Sequence, residues 1–368
     1  MHTDLCEQFG IKYPIFAFTP SEHVAAAVSR AGGLGVLGCV RFNEAEELEQ
    51  TLSWLDDNTD GKPYGVDVVM PMKIPTEGTS VDLGAMVPEA HKAFVDDTLR
   101  KLGVPPLPEG EGRDGVLGWL HSIARSHVEI SLAHRPVLIA NALGSPPVDV
   151  IEQAHAAGVK VAALAGAAKH AMSHVANGVD IIVAQGYEAG GHTGEIASMV
   201  LTPEIVDAVG ADVPVLGAGG IGRGRQIAAS LALGAQGVWM GSVWLGTEEY
   251  RNLSSNTGWE TAFTRATSSD TVRTRVYTGK PARLLKTKWT EAWAEEGAPQ
   301  PLPMPLQNLL VADAHSRMNA HGDPDVISMP VGQIVGRMNE VKPVAQVMAE
   351  LVSEFEDTVK KLDGIAGA

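Results

Sequence analysis

The stretch VPVLGAGGIGRGRQIAASLALGAQGVWMGS, residues 213–242, decides the fold. It opens with a short apolar run, turns through glycines, continues as an alanine-rich segment of helical period, and closes with a second apolar run. A β-rich run followed by an amphipathic segment is typical of one strand–helix unit of a parallel sheet. The stretch therefore predicts two parallel strands joined by a helix.

The same unit recurs along the chain. Apolar runs alternate with segments of helical period, which are clearest at residues 23–31, 43–55, 147–158, 167–178 and 223–234. The eight runs lie at residues 14–18, 34–38, 64–70, 136–142, 159–165, 179–185, 213–219 and 237–242. Parallel strands buried on both faces give continuous apolar runs, and eight of them favour a closed barrel over an open sheet. We therefore predict an α/β fold, a (β/α)8 TIM barrel.

Two long segments interrupt this alternation. Residues 71–135 follow the third predicted strand, and residues 250–368 follow the eighth. Within the first segment, residues 91–102 and 116–127 have helical period on either side of a Pro/Gly-rich patch. We expect an insertion that forms a lid or side wall and a helical C-terminal extension, all within a single domain spanning residues 1–368, because α/β barrels often reach this size.

Composition and charge exclude several classes of protein. The formal net charge of −16 opposes binding to nucleic acid or anionic lipid. No apolar run approaches the ~20 residues of a membrane span, and the N-terminus carries acids where a signal peptide would carry lysines. We expect a cytoplasmic protein with neither nucleic acid nor membrane as a partner. Cys6 and Cys39 are too few for a disulfide framework or a thiolate metal site; we expect both to be buried and predict no metal.

A glycine loop lies in the stretch quoted first, where Gly217, Gly219 and Gly222 form a G-x-G-x-x-G pattern. A dinucleotide fold requires an acid ~20 residues later, at the end of the next strand, but that position falls in GVWMGSVW, which has none. In a barrel, the loops after the seventh and eighth strands bind one phosphate through backbone N–H groups and a short helix start. The predicted phosphate-binding residues are Gly219, Gly220 and Gly222 in the first loop and Met240, Gly241 and Ser242 in the second. Tight turns without a ligand are the alternative.

A histidine loop, AQGYEAGGHTGEIASM, follows the sixth predicted strand at residues 184–199, on the face where barrels keep their chemistry. Gln185 can donate and accept hydrogen bonds, and Gly190 and Gly191 let the backbone lie against a ring. The imidazole of His192 can remove a proton from a carbon acid or polarise an oxyanion. We predict that His192 is catalytic and that Glu188 either orients it or is a surface carboxylate.

These residues resemble the nitronate monooxygenase family of FMN-dependent barrels. The resemblance extends from about residue 10 to residue 285 and rests on HVAAAVSRAGGLGVLG, AQGYEAGGHTGE, VLGAGGIGRGRQIAASLALGAQGVWMGS and TGKPARLL. It implies that FMN is the cofactor and His192 the catalytic histidine. The FMN contacts that it implies are Gln185, Gly190, Gly220 and the run Trp239, Met240, Gly241 and Ser242. Ala17 and Phe18 would lie beside the flavin at the end of the first strand.

Two positions depart from the pattern of that family. The first strand ends in AFTP where the family usually has A-P-M, so we expect the substrate side of the flavin to be remodelled. Asp67, also a candidate flavin contact, stands where the family often has Asn. A carboxylate there would repel a reduced, anionic flavin or require a neighbouring donor. We expect these differences to change the substrate more than the cofactor.

The resemblance implies oxidation of an alkyl nitronate, a small-molecule substrate, with O2, giving a carbonyl compound and nitrite. The alternative within the same fold is an NAD(P)H-dependent flavin reductase acting on a quinone or an enoyl thioester. Residues 271–290 hold six basic residues and no acid; they form either a phosphate-binding patch or a solvated basic face. A third hypothesis is a flavin-binding scaffold without turnover, which would form a homodimer through its C-terminal helices. The amphipathic residues 344–362 more simply pack on the barrel.

Overall fold

Eight parallel strands form a closed barrel in the computed structural model, which describes residues 1–70, 84–108, 121–253 and 258–367. The barrel strands are β1 Ile15–Thr19, β2 Leu34–Gly38, β3 Tyr64–Val68, β4 Leu138–Asn141, β5 Lys160–Ala165, β6 Ile181–Gln185, β8 Val215–Ala218 and β9 Gly237–Met240. β1 pairs with both β2 and β9, so the sheet has no free edge. Each predicted apolar run overlaps one of these strands, and the predicted (β/α)8 barrel is confirmed.

Helices cover the outside of the barrel and extend beyond it. They are α1 Asp4–Phe9, α2 Glu22–Arg30, α3 Ala45–Asn58, α4 Glu89–Lys101, α5 His121–Ala133, α6 Val148–Ala156, α7 Ala168–Ala176, α8 Ser198–Val209, α9 Gly224–Ala232, α10 Gly258–Arg265, α11 Lys288–Ala292, α12 Leu306–His321 and α13 Val344–Ala366. Short 3-10 helices lie at Cys39–Arg41, Gly84–Met86, Ser242–Gly246, Glu248–Leu253 and Gln333–Arg337.

The barrel interior is filled by alternate residues of the strands, since successive side chains of a strand point to opposite faces. α1 closes the N-terminal end with Leu5 and Phe9, and the Phe9 ring meets the ring of Phe16 edge to face at 5.4 Å. Cys6 and Cys39 are free and buried, as predicted. Because α1 covers the N-terminal end of the barrel, we look for a ligand site at the C-terminal end of the strands.

The insertion after β3 is shorter than predicted. Its last helix, α5, packs Ala124 and Val128 into the same buried cluster as Leu48 and Leu52 of α3, so α5 is the barrel helix of the third βα unit and not a lid or wall. α4 does form a side wall, because its buried residues share a cluster with those of α12. Residues 71–83 and 109–120, which include the start of the helix predicted at 116–127, lie outside the described residues.

The C-terminal extension contributes the eighth barrel helix. α13 buries Met348 and Leu351 in the cluster that also contains Ile227 of α9 and Val24 of α2. Gly224 permits this close packing, because a Cβ there would lie 2.2 Å from the Leu351 carbonyl oxygen. Helix packing on the barrel, the simpler prediction for this segment, is confirmed. Within the described residues, helices long and apolar enough to cross a bilayer do not occur.

A small three-stranded sheet lies over the C-terminal end of the barrel. Its strands are β7 Gly191–His192, β10 Thr271–Thr274 and β11 Ala282–Leu285. β11 lies in the middle and pairs antiparallel with both neighbours; Ala282 is opposite His192. We call residues 271–285 the strap. The strap holds the histidine loop in place from a part of the chain about 90 residues away, a distance that follows from the numbering of the paired residues.

Candidate active site

The last inward-facing residues of four alternate strands form one layer at the C-terminal end of the barrel, which we call the barrel floor. Barrels of this kind fill their interior with layers of four side chains from alternate strands. On β3, Val66 and Val68 pack outward against the helices, so the residue between them points inward. The floor residues are Phe18 of β1, Asp67 of β3, Leu164 of β5 and Ala218 of β8. Phe18 and Leu164 are only partly buried, so this layer offers an apolar surface to a ligand.

Two polar side chains lie at this end of the barrel. Asp67 is 2% exposed, and its Oδ2 has no hydrogen-bond partner among the described residues. Burial raises the pKa of this carboxyl well above its usual value, because a low-dielectric environment disfavours the charged form. Gln185 ends β6 and is partly exposed. Both lie where the sequence analysis placed ring contacts.

The predicted contacts at the ends of β1 and β9 separate into two groups. Trp239 points inward, and its ring stacks on the ring of Phe18 at 6.3 Å. Ala17 and Met240 instead pack in the outer cluster between barrel and helices, so only their backbone atoms could reach a cofactor. The backbone position of Gly241 lies next to the Phe18 ring, where a Cβ would be 3.7 Å from Cδ1.

The glycine loop after β8 forms a concave backbone turn. Gly219 and Gly220 have φ angles of 97° and 69°, a left-handed conformation that side chains disfavour. Successive backbone N–H groups in a turn can bind an anion, and we use the name glycine nest for these two residues. Gly222 has another role: its N–H donates to Oε1 of Gln226 at 2.9 Å, and a Cβ there would lie 2.4 Å from Cγ1 of Ile334.

The start of α9 is not available as the anion site that the sequence analysis expected. The Oε2 atom of Glu354, on α13, accepts a hydrogen bond from the Gly224 N–H at 2.9 Å. A helix N-terminus attracts negative charge, and this carboxylate already satisfies that attraction. A phosphate at this end of the barrel would therefore bind the glycine nest and not the helix start.

The loop after β9 supplies the Ser242 hydroxyl. Its Oγ accepts a hydrogen bond from the Gly332 N–H at 2.8 Å, which leaves the O–H free to donate to a phosphate. The segment that contains Gly332 also packs on the histidine loop, because the Gln333 N–H donates to the Glu188 carbonyl at 2.9 Å. A Cβ on Gly190 would lie 2.7 Å from the Gly332 nitrogen, so the missing side chain of Gly190 already admits this segment.

His192 is held at the barrel mouth by the strap. Its Nε2 lies 2.7 Å from the Thr278 hydroxyl oxygen, and Gly191 before it has a φ of 74°. Burial, followed by the nearby positive charge of Lys280, lowers the pKa of His192 to about 4. His192 is therefore a neutral imidazole at neutral pH. Thr278 has no role predicted from its sequence context, although it begins the TGKPARLL segment that carries the resemblance.

Glu188 does not orient His192. Its carboxylate accepts hydrogen bonds from the Ser198 N–H, the shorter at 3.0 Å, and from the Ser198 hydroxyl at 3.0 Å. These contacts cap the first turn of α8, where negative charge is favourable. Of the two interpretations offered for Glu188, the orienting partner is therefore wrong, and the positioning contact comes from Thr278.

The basic residues at 271–290 divide into structural and exposed groups. Arg283 is 2% exposed and donates to the Tyr187 carbonyl at 3.0 Å, and Arg273 donates to the Thr193 carbonyl at 3.2 Å. Both arginines therefore attach the strap to the histidine loop. Lys286 and Lys288 form surface ion pairs with acids. Arg275 and Lys280 are exposed and make no ion pair within the described part of the chain, which leaves these two for an anionic ligand.

Other histidines and acids form no competing centre within the described residues. His174 is buried, with its Nδ1 2.6 Å from the Ser145 hydroxyl and its Nε2 3.2 Å from the Leu164 carbonyl. His127 bonds the Phe42 carbonyl at 3.0 Å. These contacts join each histidine, which lies on an outer helix, to a neighbouring loop or strand. Clusters of His, Cys, Asp and Glu that could hold a metal ion do not occur in these residues.

Comparisons with known proteins agree over nearly the whole chain. A family profile described as Nitronate monooxygenase matches residues 2–354. The Mycobacterium tuberculosis protein provisionally named monooxygenase Rv1533 is 49% identical over 378 residues, with 99% of each chain covered. Among solved structures, nitroalkane oxidase from Streptomyces ansochromogenes has 28% identity and a TM-score of 0.79, with 97% of this chain and 99% of that one covered. FabK from Thermotoga maritima has 26% identity and a TM-score of 0.74, with 99% of each chain covered.

The profile match includes every element of the site: the barrel floor, the histidine loop, the strap and both loops at the phosphate end. The full-length relative extends the agreement to the C-terminal helix that completes the barrel. The arrangement of an apolar floor, unpartnered polar groups and a glycine nest suits a flat-ringed cofactor with an anionic end. The chain therefore belongs to the nitronate monooxygenase family and is a flavin-dependent oxidoreductase.

Proposed function

We propose that this chain uses FMN and O2 to oxidise alkyl nitronates to a carbonyl compound and nitrite. In balanced form, two nitronate anions and one O2 give two carbonyl compounds and two nitrite ions, so no external reductant is needed. The matched profile and the similar nitroalkane oxidase structure support this substrate class. The observation that carries the proposal is the contact of His192 with the strap, where its Nε2 lies 2.7 Å from the Thr278 hydroxyl oxygen. Burial and the positive charge of Lys280 lower the pKa of this imidazole, which favours its neutral form.

The residues at the barrel mouth fit FMN. The barrel floor and Trp239 offer apolar surface to the ring system, and the unpartnered Oδ2 of Asp67 offers a polar contact. The glycine nest and the Ser242 hydroxyl follow adjacent strands, which supports a single phosphate site formed by both loops. One such site suits a mononucleotide.

His192 can act in two ways on this substrate. When bound, FMN supplies the electron-transfer chemistry that no side chain supplies. The neutral imidazole can take the α-proton of a nitroalkane on the nitrogen that Thr278 does not engage. With a nitronate, that nitrogen can instead donate to a nitro oxygen, because the Thr278 hydroxyl can pair with either tautomer by donating or accepting. Lys280 favours the anionic substrate over its neutral conjugate acid.

Oxygen uptake and nitrite release by the FMN-loaded protein test the proposal. We expect nitronate-dependent uptake with one O2 consumed per two nitrite ions released. General base catalysis contributes roughly 10²–10⁴-fold, so His192→Asn should lose about that factor with a neutral nitroalkane and less with a preformed nitronate. His170→Asn, the same change at an exposed position of α7, is the matched control. If the loaded protein consumes no oxygen with nitronates, the proposed reaction is wrong.

A second function is favoured by one observation, the two exposed cations of the strap. Arg275 and Lys280 could bind the phosphates of NAD(P)H or of a thioester substrate. The enzyme would then be a flavin reductase acting on a quinone or an enoyl thioester. Rapid anaerobic bleaching of the flavin by NADH or NADPH, slowed in Arg275→Gln, would support this function. Bleaching by nitronate alone would support the first.

A further inference from the structure

We propose that Asp67 is held as a neutral carboxylic acid whose O–H donates a hydrogen bond to the bound flavin. The inference rests on the proposed function, which places a flavin at the barrel mouth. It reverses the expectation that a carboxylate at this position would repel the reduced cofactor.

The position of Asp67 on β3 directs its side chain into the barrel interior. Its strand neighbours point outward, so its carboxyl lies in the barrel floor, level with Phe18 and Leu164, which are apolar. Asp67 pairs in register with Gly38 and Ala140, neither of which has a polar side chain. The carboxyl is 2% exposed and its Oδ2 accepts no hydrogen bond within the described residues. Within the part of the chain that the structure describes, a negative charge on Oδ2 would therefore have no hydrogen bond to compensate its burial.

The charged groups on neighbouring elements do not compensate an ionised Asp67. The Cys39 thiol, after β2, is buried, and burial raises its pKa so that it stays protonated. The Arg41 guanidinium pairs with Glu22 at 2.7 Å. On α5, burial lowers the pKa of His127, which leaves it neutral. Among the described residues Asp67 has no ion pair, and burial alone raises its pKa well above the usual value.

The protonated acid, like an amide, can both donate and accept a hydrogen bond. It presents one donor and one acceptor in the shape of the Asn side chain, which the resembling family often has at this position. A neutral O–H donor stabilises negative charge that develops on the flavin ring, whereas an ionised carboxylate in the same place repels that charge. The Asp67 of this chain therefore replaces Asn as a donor only while it keeps its proton. Flavin binding should then weaken as the pH rises.

The protonation state can be tested in the protein without flavin. The infrared difference spectrum between the wild-type apoprotein and Asp67→Asn should contain the C=O stretch of a protonated carboxylic acid at neutral pH. Deuterium exchange should shift that band, and alkaline titration should remove it. Asp207→Asn, the same change on the exposed face of α8, should give no such band. Carboxylate bands alone in the wild-type minus Asp67→Asn spectrum would overturn the proposal.

The hydrogen bond to the cofactor is tested by FMN affinity as a function of pH. The Kd for FMN, from quenching of flavin fluorescence, should rise about tenfold per pH unit once the pH exceeds the pKa of Asp67 in the apoprotein. Asp67→Asn should bind FMN with an affinity that stays level over the same range, and Asp207→Asn should follow the wild type. Parallel curves for wild type and Asp67→Asn would overturn the hydrogen bond. If no variant binds FMN, the proposed function fails, while the infrared band still reports whether Asp67 is neutral.

Discussion

Replacing Thr278 by valine tests whether the strap positions His192 for catalysis. The side chain keeps nearly the same volume and loses the hydroxyl that lies 2.7 Å from Nε2. A typical hydrogen bond contributes a net free energy of about 0.5–1.5 kcal/mol. If this energy orients the ring in the transition state, kcat/KM should fall about 2- to 13-fold, because each 1.4 kcal/mol corresponds to a factor of ten. A larger loss is not expected, because the pairing of His192 with Ala282 keeps the backbone in place.

The assay is oxygen uptake with a neutral nitroalkane and a preformed nitronate, together with the Kd for FMN. Thr278→Val should lower kcat with the nitroalkane and leave the FMN affinity unchanged. Thr278→Ser keeps the hydroxyl and should recover most of the loss. Thr51→Val, the same change on the outer helix α3, is the control. Equal activity of Thr278→Val and wild type would refute the reasoning, and equal impairment of the serine and valine variants would show that packing and not the hydroxyl is responsible.

Three further predictions concern pH, the glycine nest and the last helix. Because the folded pKa of His192 is lowered to about 4, the imidazole stays neutral down to that pH, and the acid limb of a kcat/KM profile should lie near pH 4. Lys280→Gln, which removes a nearby positive charge, should move this limb to higher pH. An acid limb near pH 6.5 in the wild type would contradict the assignment. Gly220→Ala should weaken FMN binding in a fluorescence titration, since a non-glycine residue in the left-handed region costs about 1–2 kcal/mol and its Cβ would meet a side chain at 3.3 Å. Gly61 has the same φ of 69° but open space around it. Gly61→Ala should therefore lower only the free energy of unfolding and leave FMN binding unchanged. Although burial opposes it, hydrogen bonds from two arginines hold the pKa of Glu354 at about 2. The ionised carboxylate therefore stabilises the folded protein above the unfolded pKa, and this stabilisation is lost as the pH falls toward 2, so Glu354→Gln should cost about 1–2 kcal/mol at neutral pH after allowance for the exposed arginines. In urea unfolding, the difference in stability between wild type and variant should be smaller at pH 3 than at pH 7.

The barrel could be predicted because its strands are buried on both faces. Such strands are apolar at most positions, so each appears in the sequence as a nearly continuous run, with exceptions such as Asp67 of β3. Glycine ends several of the intervening helices. The insertion could not be delimited in this way. α4 and α5 both have helical period, and only the packing of α5 against α3 shows that one is a wall and the other a barrel helix. Hydrophobic periodicity shows which face of a helix is buried, but it does not show which other element that face packs against.

The glycines of the site show a related limit. Sequence analysis assigned one purpose to Gly190, Gly220 and Gly222, the approach of backbone to a cofactor. Gly220 does adopt a left-handed turn, but Gly190 admits the Val331–Gly332 backbone and Gly222 admits Ile334. Those two reasons depend on residues more than 100 positions later in the chain, as the numbering shows. A local pattern can predict that a side chain must be absent without showing what takes its place.

The strap explains why the basic stretch could not be interpreted from sequence. Six cations without an acid predicted either a phosphate-binding patch or a solvated basic face, yet two of the arginines donate hydrogen bonds to backbone carbonyls of the histidine loop. A guanidinium can bond several carbonyl oxygens at once, so it joins two segments where a hydrophobic contact would not orient them. The strap therefore carries both roles at once: Arg283 fixes the loop, Thr278 holds the imidazole, and Lys280 sets its charge environment. It follows that the state of His192 depends on the C-terminal extension, so a change that loosens the strap should impair catalysis even where the barrel and its cofactor site are intact.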